Sequence, residues 1–369
     1  MDYNFKNAHN FSGGPGVLPQ EVLRDLSQAV LDLPGRGGSI LGVNHREPWF
    51  EQIINATKEA ITELLRLPDD YEIIFLQGGS SLQFSMIPMN LGAGLGKREI
   101  TGAYLESGYW SQKAVLEASK ICKTVILWSG KEEGFIRLPT QEELDKRELL
   151  GVANYMHYVS NETAEGLEFA YVPQAGTQRL VCDMSSDFMT KPIANIEKFD
   201  LIYAHGQKNL GPAGVTIILL KKDILTDIPD GLPEMLDYRS HVNANSLYNT
   251  PPVFGIYTLY LSLKWIQETF QGLEALAEFR QKRADMLRQA LLFSRSEFRL
   301  RTLSDHSNSN ICFHCPSEST MTSFLEGAAH LGFQGLKGHR KTGGARVSLY
   351  NGMTLGATSH LAEFIQTYE

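Results

Sequence analysis

A lysine stands between two apolar runs in AHGQKNLGPAGVTIILL (204–220). Lys208 follows the strand-like DLIYA (200–204), and a Gly-Pro-Ala-Gly turn leads on into VTIILL (215–220). A catalytic amine must be held rigidly and partly desolvated, so that it is neutral and nucleophilic near pH 7. A lysine at a strand end meets that need, although an exposed lysine in a β-hairpin has the same local pattern. The second chemical element is DMSSD (183–187), which follows the apolar RLVC. A carboxylate at the C-terminal end of an α/β strand is placed to bind a ligand. Facing a pyridine nitrogen, it would keep that nitrogen protonated and make the ring an electron sink. Asp183 has the alternative of capping a helix or turn. The third element is QGGSSLQF (77–84), where a turn between strand and helix offers N–H groups and hydroxyls to a phosphate. It is neither a Walker A loop nor G-x-G-x-x-G, so nothing favours a nucleotide.

Each of these turns follows a short apolar run, and such runs recur. They are YEIIFL (71–76), 103–105, TVILW (124–128), YMHYV (155–159), RLVCD (179–183), DLIYA (200–204) and VTIILL (215–220). Between them lie helical patterns. Phe50, Ile53, Ile54, Thr57, Ile61, Leu64 and Leu65 share one face over 50–66, and further helices are predicted over 110–119 and 141–149. Seven strands interleaved with helices predict an α/β fold with a mostly parallel sheet covered on both faces. After VTIILL the texture changes. Residues 253–293 read as helical, then a strand in NICFHC (310–315), a helix over 319–331, a strand in ARVSLY (345–350) and a helix over 355–368 follow. The expected organisation is an N-terminal arm (1–20), a large domain (21–270) and a smaller α+β domain (271–369).

A chain of 369 residues is too long for one typical core, which agrees with two domains. Its 43% hydrophobic and 21% charged residues are ordinary for a globular enzyme. A formal net charge of -8 disfavours nucleic acid, whose phosphates need a basic face. An anionic small molecule would need cations gathered locally. The start, MDYNFKNAHNFSGGPG, lacks a basic segment followed by an apolar one, so no secretory signal is read there. No apolar run reaches ~18 residues, so no membrane span is expected. Four cysteines without a signal point to a reducing, cytoplasmic setting. CFHC (312–315) has CxxC spacing but no second ligand pair, and reads as a strand rather than a metal site.

A set of phrases in fixed order carries a resemblance. They are FSGGPG (11–16), NHR (44–46), GGSSLQF (78–84), SGYW (107–110), SNET (160–163), GQKNLGPAG (206–214), YNTPP (248–252) and GHR..GG.R (338–346). Together they resemble the phosphoserine aminotransferase family, class-V members of the fold-type I pyridoxal-phosphate (PLP) enzymes, from about residue 10 to the C-terminus. The resemblance implies a homodimer with active sites at the subunit interface. It implies that Lys208 bonds covalently to the cofactor and later shuttles a proton, and that Asp183 partners the ring nitrogen. Trp110 would stack on the ring, Thr163 would lie near its phenolic oxygen, and Ser80, Ser81 and Gln207 would hold its phosphate. Asn249 and Thr250 would reach the phosphate of the neighbouring subunit's cofactor. Arg346 would clamp the substrate α-carboxylate. His45 and Arg46 of one subunit, with His339 and Arg340 of the other, would hold a phosphate or side-chain carboxylate, a task suited to arginine forks.

The implied reaction carries an amino group from glutamate to 3-phosphonooxypyruvate, giving O-phospho-L-serine and 2-oxoglutarate for serine biosynthesis. A second use on 4-phosphonooxythreonine, in pyridoxine biosynthesis, goes with it. Departures from the pattern are His205 where a small residue is expected, Asn44 before His45, and Lys341 and Thr342 after Arg340. They bear on substrate preference rather than on reaction type. The rival readings are another fold-type I aminotransferase, such as the alanine–glyoxylate kind, and a non-catalytic dimeric binding protein. A desulfurase would need a cysteine on a mobile loop, whereas Cys122, Cys182, Cys312 and Cys315 all sit beside apolar runs.

Overall fold

The structure is a computed structural model that describes residues 9–96, 99–145 and 153–369. Two helices open the described chain, α1 (Gln20–Leu31) and α2 (Pro48–Leu65). Then come β1 (Tyr71–Leu76), α3 (Gly79–Pro88), β2 (Thr101–Glu106), α4 (Tyr109–Ala118), β3 (Lys123–Ser129), α5 (Gln141–Asp145) and β4 (Tyr155–Val159). A short hairpin, β5 (Asn161–Glu162) and β6 (Leu167–Glu168), precedes β7 (Arg179–Asp183), β8 (Leu201–His205) and β9 (Thr216–Lys221). Helices α6 (Ile224–Asp227), α7 (Tyr238–Asn243), α8 (Val253–Phe270) and α9 (Leu273–Leu292) follow. The chain closes with β10 (Arg299–Leu300), β11 (Asn310–His314), α10 (Glu318–His330), β12 (Ala345–Ser348) and α11 (Leu355–Thr367). The predicted helix over 141–149 is seen as α5, and positions 146–149 lie outside the described residues.

The seven apolar runs become one seven-stranded sheet in the order β1-β9-β8-β7-β4-β2-β3. Only β9 runs against its neighbours, pairing antiparallel with β1 and β8. Strands β8, β7, β4, β2 and β3 are parallel. Side chains alternate between two buried layers, as the pleat requires. Ile73, Phe75, Met156, Tyr158, Leu180 and Cys182 face one layer, with Phe50, Ile54 and Ile61 of α2 and Leu259 and Leu263 of α8. Ile74, Leu76, Tyr155, Val181, Leu201 and Tyr203 face the other, with Phe84 and Ile87 of α3 and Ala114 of α4. Burial on both faces explains why these strands read as continuous apolar runs.

A separate core forms around the antiparallel sheet β10-β11-β12. Ile311, Phe313 and Val347 pack there with Phe324 of α10, Leu361 and Ile365 of α11, and Phe11 and Val17 of the N-terminal segment. Helix α9 joins the two cores. Its Leu273 and Leu276 pack with the large sheet, while Ala284, Leu287 and Leu291 pack with the small one. Cys312 is buried in β11, its thiol directed at the carbonyls of Thr163 and Ala164. Among the described residues no helix is long and apolar enough to cross a membrane.

Candidate active site

The strand ends converge on one cavity of about 120 Å³. Parallel strands send their C-terminal ends to one edge, where ligands of α/β sheets bind. Ser80, Ser81, Trp110, Thr163, Asp183, Gln207 and Lys208 all line it, so seven expected residues from five chain segments are brought together.

Lys208 is buried, and its Nζ donates to Thr163 Oγ1 at 2.7 Å. The amine also lies 5.8 Å from the centroid of the Trp110 ring. Burial pulls the ammonium down to about 8, and the nearby Arg346 charge adds to this while Asp183 opposes it. Part of the population is therefore a free amine near neutral pH, as a nucleophile requires. Asp183 ends β7, buried. Its Oδ1 accepts from Ser185 N at 2.9 Å and Ser185 Oγ at 2.5 Å. This is a local turn in which the carboxylate binds the backbone two residues on. Burial pushes the Asp183 carboxyl up, and Ser185, Lys208 and Tyr203 pull it down.

Loop 77–81 leads from β1 into α3. Gly78 and Gly79 both have positive φ, at 96° and 64°. A Cβ on Gly79 would lie 3.0 Å from His205 Nδ1, so only glycine fits both the backbone and the space. The first N–H groups of α3 are thus bared toward the cavity beside Ser80 and Ser81, an anion cradle. Ser80 Oγ and Ser185 Oγ are 2.5 Å apart, which ties the cradle to the Asp183 turn. His205 lines this cavity. Its Nε2 accepts from Gly214 N at 3.3 Å, and burial, then the Lys208 charge, lowers it to about 4.

Trp110 is set by carboxylates remote in sequence. Glu162 accepts from Trp110 N at 3.0 Å and from Ser111 N at 2.9 Å, and Glu165 accepts from Tyr109 N at 3.1 Å. Two carboxyl groups thus accept from the first N–H groups of α4, which have no acceptor within the helix. Burial, then the Glu162 charge, pushes Glu165 up to about 8.

The remaining expected residues stand outside the cavity. Arg346 rises from β12 against Gly13, where a Cβ would lie 2.1 Å from its Nη2. The turn carrying His339 and Arg340 docks through Thr342, whose Oγ1 donates to Ala164 O at 3.2 Å, and His339 packs 4.4 Å from the Tyr109 ring centroid. Burial, then the charges of Arg346, Arg340 and Lys341, lowers His339, so cations do gather here in a net-negative chain. Lys341 itself is exposed. His45 and Arg46 lie in the turn before α2, shaped by Asn44, whose Oδ1 accepts from Arg46 N at 2.9 Å. Asn249 lines a different cavity with Gln77, Pro251 and Pro252, and Thr250 O accepts from Gln77 Nε2 at 3.0 Å. Arg346 Nε and His45 Nε2 are buried without hydrogen-bond partners among the described residues.

Sequence reading missed Ser185, Asn161, Glu162 and Glu165. Ser185 alone had a local signal, the Asp-x-Ser spacing in DMSSD. The others sit in SNET and the residues after it: Glu162 and Glu165 meet the start of α4 more than fifty residues away in the chain, and Asn161 donates to Ser186 Oγ and Asn310 Oδ1, both at 2.8 Å.

Residues 8–356 match the family described as aminotransferase class-V. The chain is 43% identical over 364 residues to the phosphoserine aminotransferase of Geobacillus kaustophilus (strain HTA426), covering 98% of each. The solved phosphoserine aminotransferase from Bacillus circulans subsp. alkalophilus is similar, with a TM-score of 0.91 and 38% identity over 98% of both chains. A PLP-bound phosphoserine aminotransferase from Trichomonas vaginalis gives 0.88 at 30% identity, covering 97% of this chain and 99% of that one.

Proposed function

The chain belongs to the class-V aminotransferase family, and we propose from that premise that it moves the amino group of glutamate to 3-phosphonooxypyruvate, giving O-phospho-L-serine and 2-oxoglutarate. The observation that carries the reading is Lys208: a buried primary amine held by one hydroxyl, sharing its cavity with a buried carboxylate and an anion cradle. That donor set fits pyridoxal phosphate, which has an aldehyde for the amine, a ring nitrogen for the carboxylate and a phosphate for the cradle. When bound, the cofactor supplies an electron-withdrawing ring conjugated to the substrate nitrogen.

The protein's own groups do the rest. Thr163 orients Lys208 Nζ, which carries the proton from and back to the substrate α-carbon. Asp183 takes the ring N–H, and Trp110 covers one ring face. Ser80, Ser81, Gln207 and the N–H groups opening α3 take the phosphate. Arg346, its Nε without a partner, takes the α-carboxylate. His45 and Arg46 of one subunit join His339 and Arg340 of the other around the phosphate or side-chain carboxylate. Asn249 and Thr250 reach the other subunit's cofactor phosphate, so the working form is a homodimer. Support for the shared site is that Asn249 lines a separate cavity of its own chain. Two buried cores joined by α9 support the division into a 1–20 arm, a 21–270 cofactor domain and a 271–369 domain. A cytoplasmic place in serine biosynthesis, and use of 4-phosphonooxythreonine in pyridoxine biosynthesis, complete the reading.

The test is an amino-transfer assay of the cofactor-loaded protein with glutamate and one acceptor at a time. Phosphonooxypyruvate should be the preferred acceptor by kcat/KM. Preference for glyoxylate or pyruvate would instead select the alanine–glyoxylate kind of activity, and no transfer at all would select a binding protein.

A further inference from the structure

We propose that His205 binds the cofactor's phosphate, its neutral imidazole adding an Nδ1–H donor to the anion cradle of loop 77–81. The inference rests on the cofactor reading above and gives a task to a residue that departs from the family pattern.

The sheet places His205 at the right edge. It ends β8, as Asp183 ends the neighbouring β7, and it lines the cavity with Gly78, Gly79, Ser80 and Ser81. Its main chain is fixed by pairing with Thr216 of β9 and by its N–H, which donates to Ser185 Oγ at 3.2 Å. The ring bridges two loops. Nε2 accepts from Gly214 N at 3.3 Å, in the turn that carries Lys208. The edge formed by Nδ1 and Cε1 faces Gly79, where a Cβ would lie 3.0 Å from Nδ1 and 3.1 Å from Cε1. Gly79 is the first residue of α3, so this edge stands beside the N–H groups that the helix leaves free.

Proton counting fixes what this edge offers. A backbone N–H only donates, so Nε2 meets Gly214 with its lone pair. A neutral imidazole has a single N–H, which must then be at Nδ1. The charged ring would set a second N–H against that of Gly214, and burial, then the Lys208 charge, lowers the group to about 4. The contact with Gly214 is the one hydrogen bond of this ring among the described residues, so Nδ1–H is uncommitted. Ser80 differs. A carboxylate only accepts, so Ser185 gives its hydroxyl proton to Asp183 Oδ1, and Ser80 gives its own to Ser185 across 2.5 Å. Ser80 can serve a phosphate only by turning away from Ser185, whereas His205 gives up nothing. A phosphate brings three strongly accepting oxygens, and a hydrogen bond to an ionised acceptor is of the strong kind.

Two measurements test this. Nitrogen NMR of the cofactor-free protein with labelled histidine should show His205 as the neutral Nδ1–H tautomer, its signals assigned by their loss in His205→Asn. Added pyridoxal phosphate should move the Nδ1–H proton signal downfield, and pyridoxal, which lacks the phosphate, should move it far less. An Nε2–H tautomer, or an Nδ1–H signal that answers both compounds alike, overturns the proposal. The second measurement compares the dissociation constants of the same two compounds. His205→Ala should weaken pyridoxal phosphate about tenfold or more, the scale of one hydrogen bond to a charged group, while pyridoxal stays within about twofold. His205→Asn, whose amide keeps a short N–H donor, should recover most of that loss. Equal weakening of both compounds would reduce His205 to packing and overturn the proposal, as would an unchanged preference for the phosphorylated one. A parent protein that binds neither compound would sink the cofactor reading and this inference together, whereas tight binding with an unchanged preference in His205→Ala sinks this inference alone.

Discussion

Lys208 sets the pH behaviour of the site. Burial lowers its pKa from the ordinary 10.5 to about 8. Between those values the unfolded chain holds the proton that the folded chain has released. This group's contribution to stability therefore rises with pH across that window and stays at its lowest below about 8. The same shift governs capture of the cofactor, because only the neutral amine attacks an aldehyde. Mixed with pyridoxal phosphate, the cofactor-free protein should bind it at a rate that climbs through about pH 8 and then levels, followed by visible absorbance. A rate that climbs only near pH 10.5 would mean an exposed, ordinary lysine.

Arg346 makes a second prediction at this scale. Gly13 leaves the space its guanidinium fills, so Gly13→Ala should displace it. KM for glutamate should rise about tenfold or more, as loss of a charge-assisted contact implies, while the affinity for pyridoxal phosphate stays within about twofold. Equal loss of both would remove Arg346 from the substrate pocket. In the same way, Arg46→Ala should raise KM for phosphonooxypyruvate far more than it weakens cofactor binding.

Secondary-structure elements differ in how far the sequence announces them. The seven strands were legible because burial on both faces leaves continuous apolar runs, and loop 77–81 was legible from its paired glycines. The hairpin β5–β6 was not, since two residues per strand carry no periodicity. YMHYV shows the limit most clearly. It reads as a plain apolar strand, and nothing local reveals that His157 meets Tyr203 across two strands. The start of α4 is similar, because Gly108 offers it no side-chain cap and Glu162 does the work from β5. Glu162→Ala should therefore lower unfolding stability by about 1–3 kcal/mol, the cost of orphaning buried N–H groups. It should also weaken cofactor binding by loosening Trp110. Chemical denaturation and cofactor titration read the two effects separately, and a change in neither would show that α4 needs no such partner.

At the scale of the whole molecule, the seven expected residues that line the cavity were readable from motifs that one chain folds together. The other expected residues fall outside that cavity. For His45, Arg46, Asn249 and Thr250 the proposed reading puts their targets in a second copy. Mixing subunits tests that division. Lys208→Ala and Asn249→Ala each damage a site, but a mixed dimer keeps one site with both residues intact. Dimers reassembled from equal amounts of the two inactive proteins should regain about a quarter of full activity, half of them being mixed and each mixed dimer having one good site of two. Recovery of none would place Lys208 and Asn249 in the same chain's site.

The most direct measurement concerns the covalent bond on which the whole reading depends. Reduction of the cofactor-loaded protein with borohydride makes the lysine–cofactor linkage permanent, and peptide mass mapping then locates it. The added mass should fall on the peptide containing GQKNLGPAG, at Lys208, and should vanish when glutamate has first converted the cofactor to its amine form. Label on another lysine, or no label on a protein that still transfers amino groups, would contradict the account.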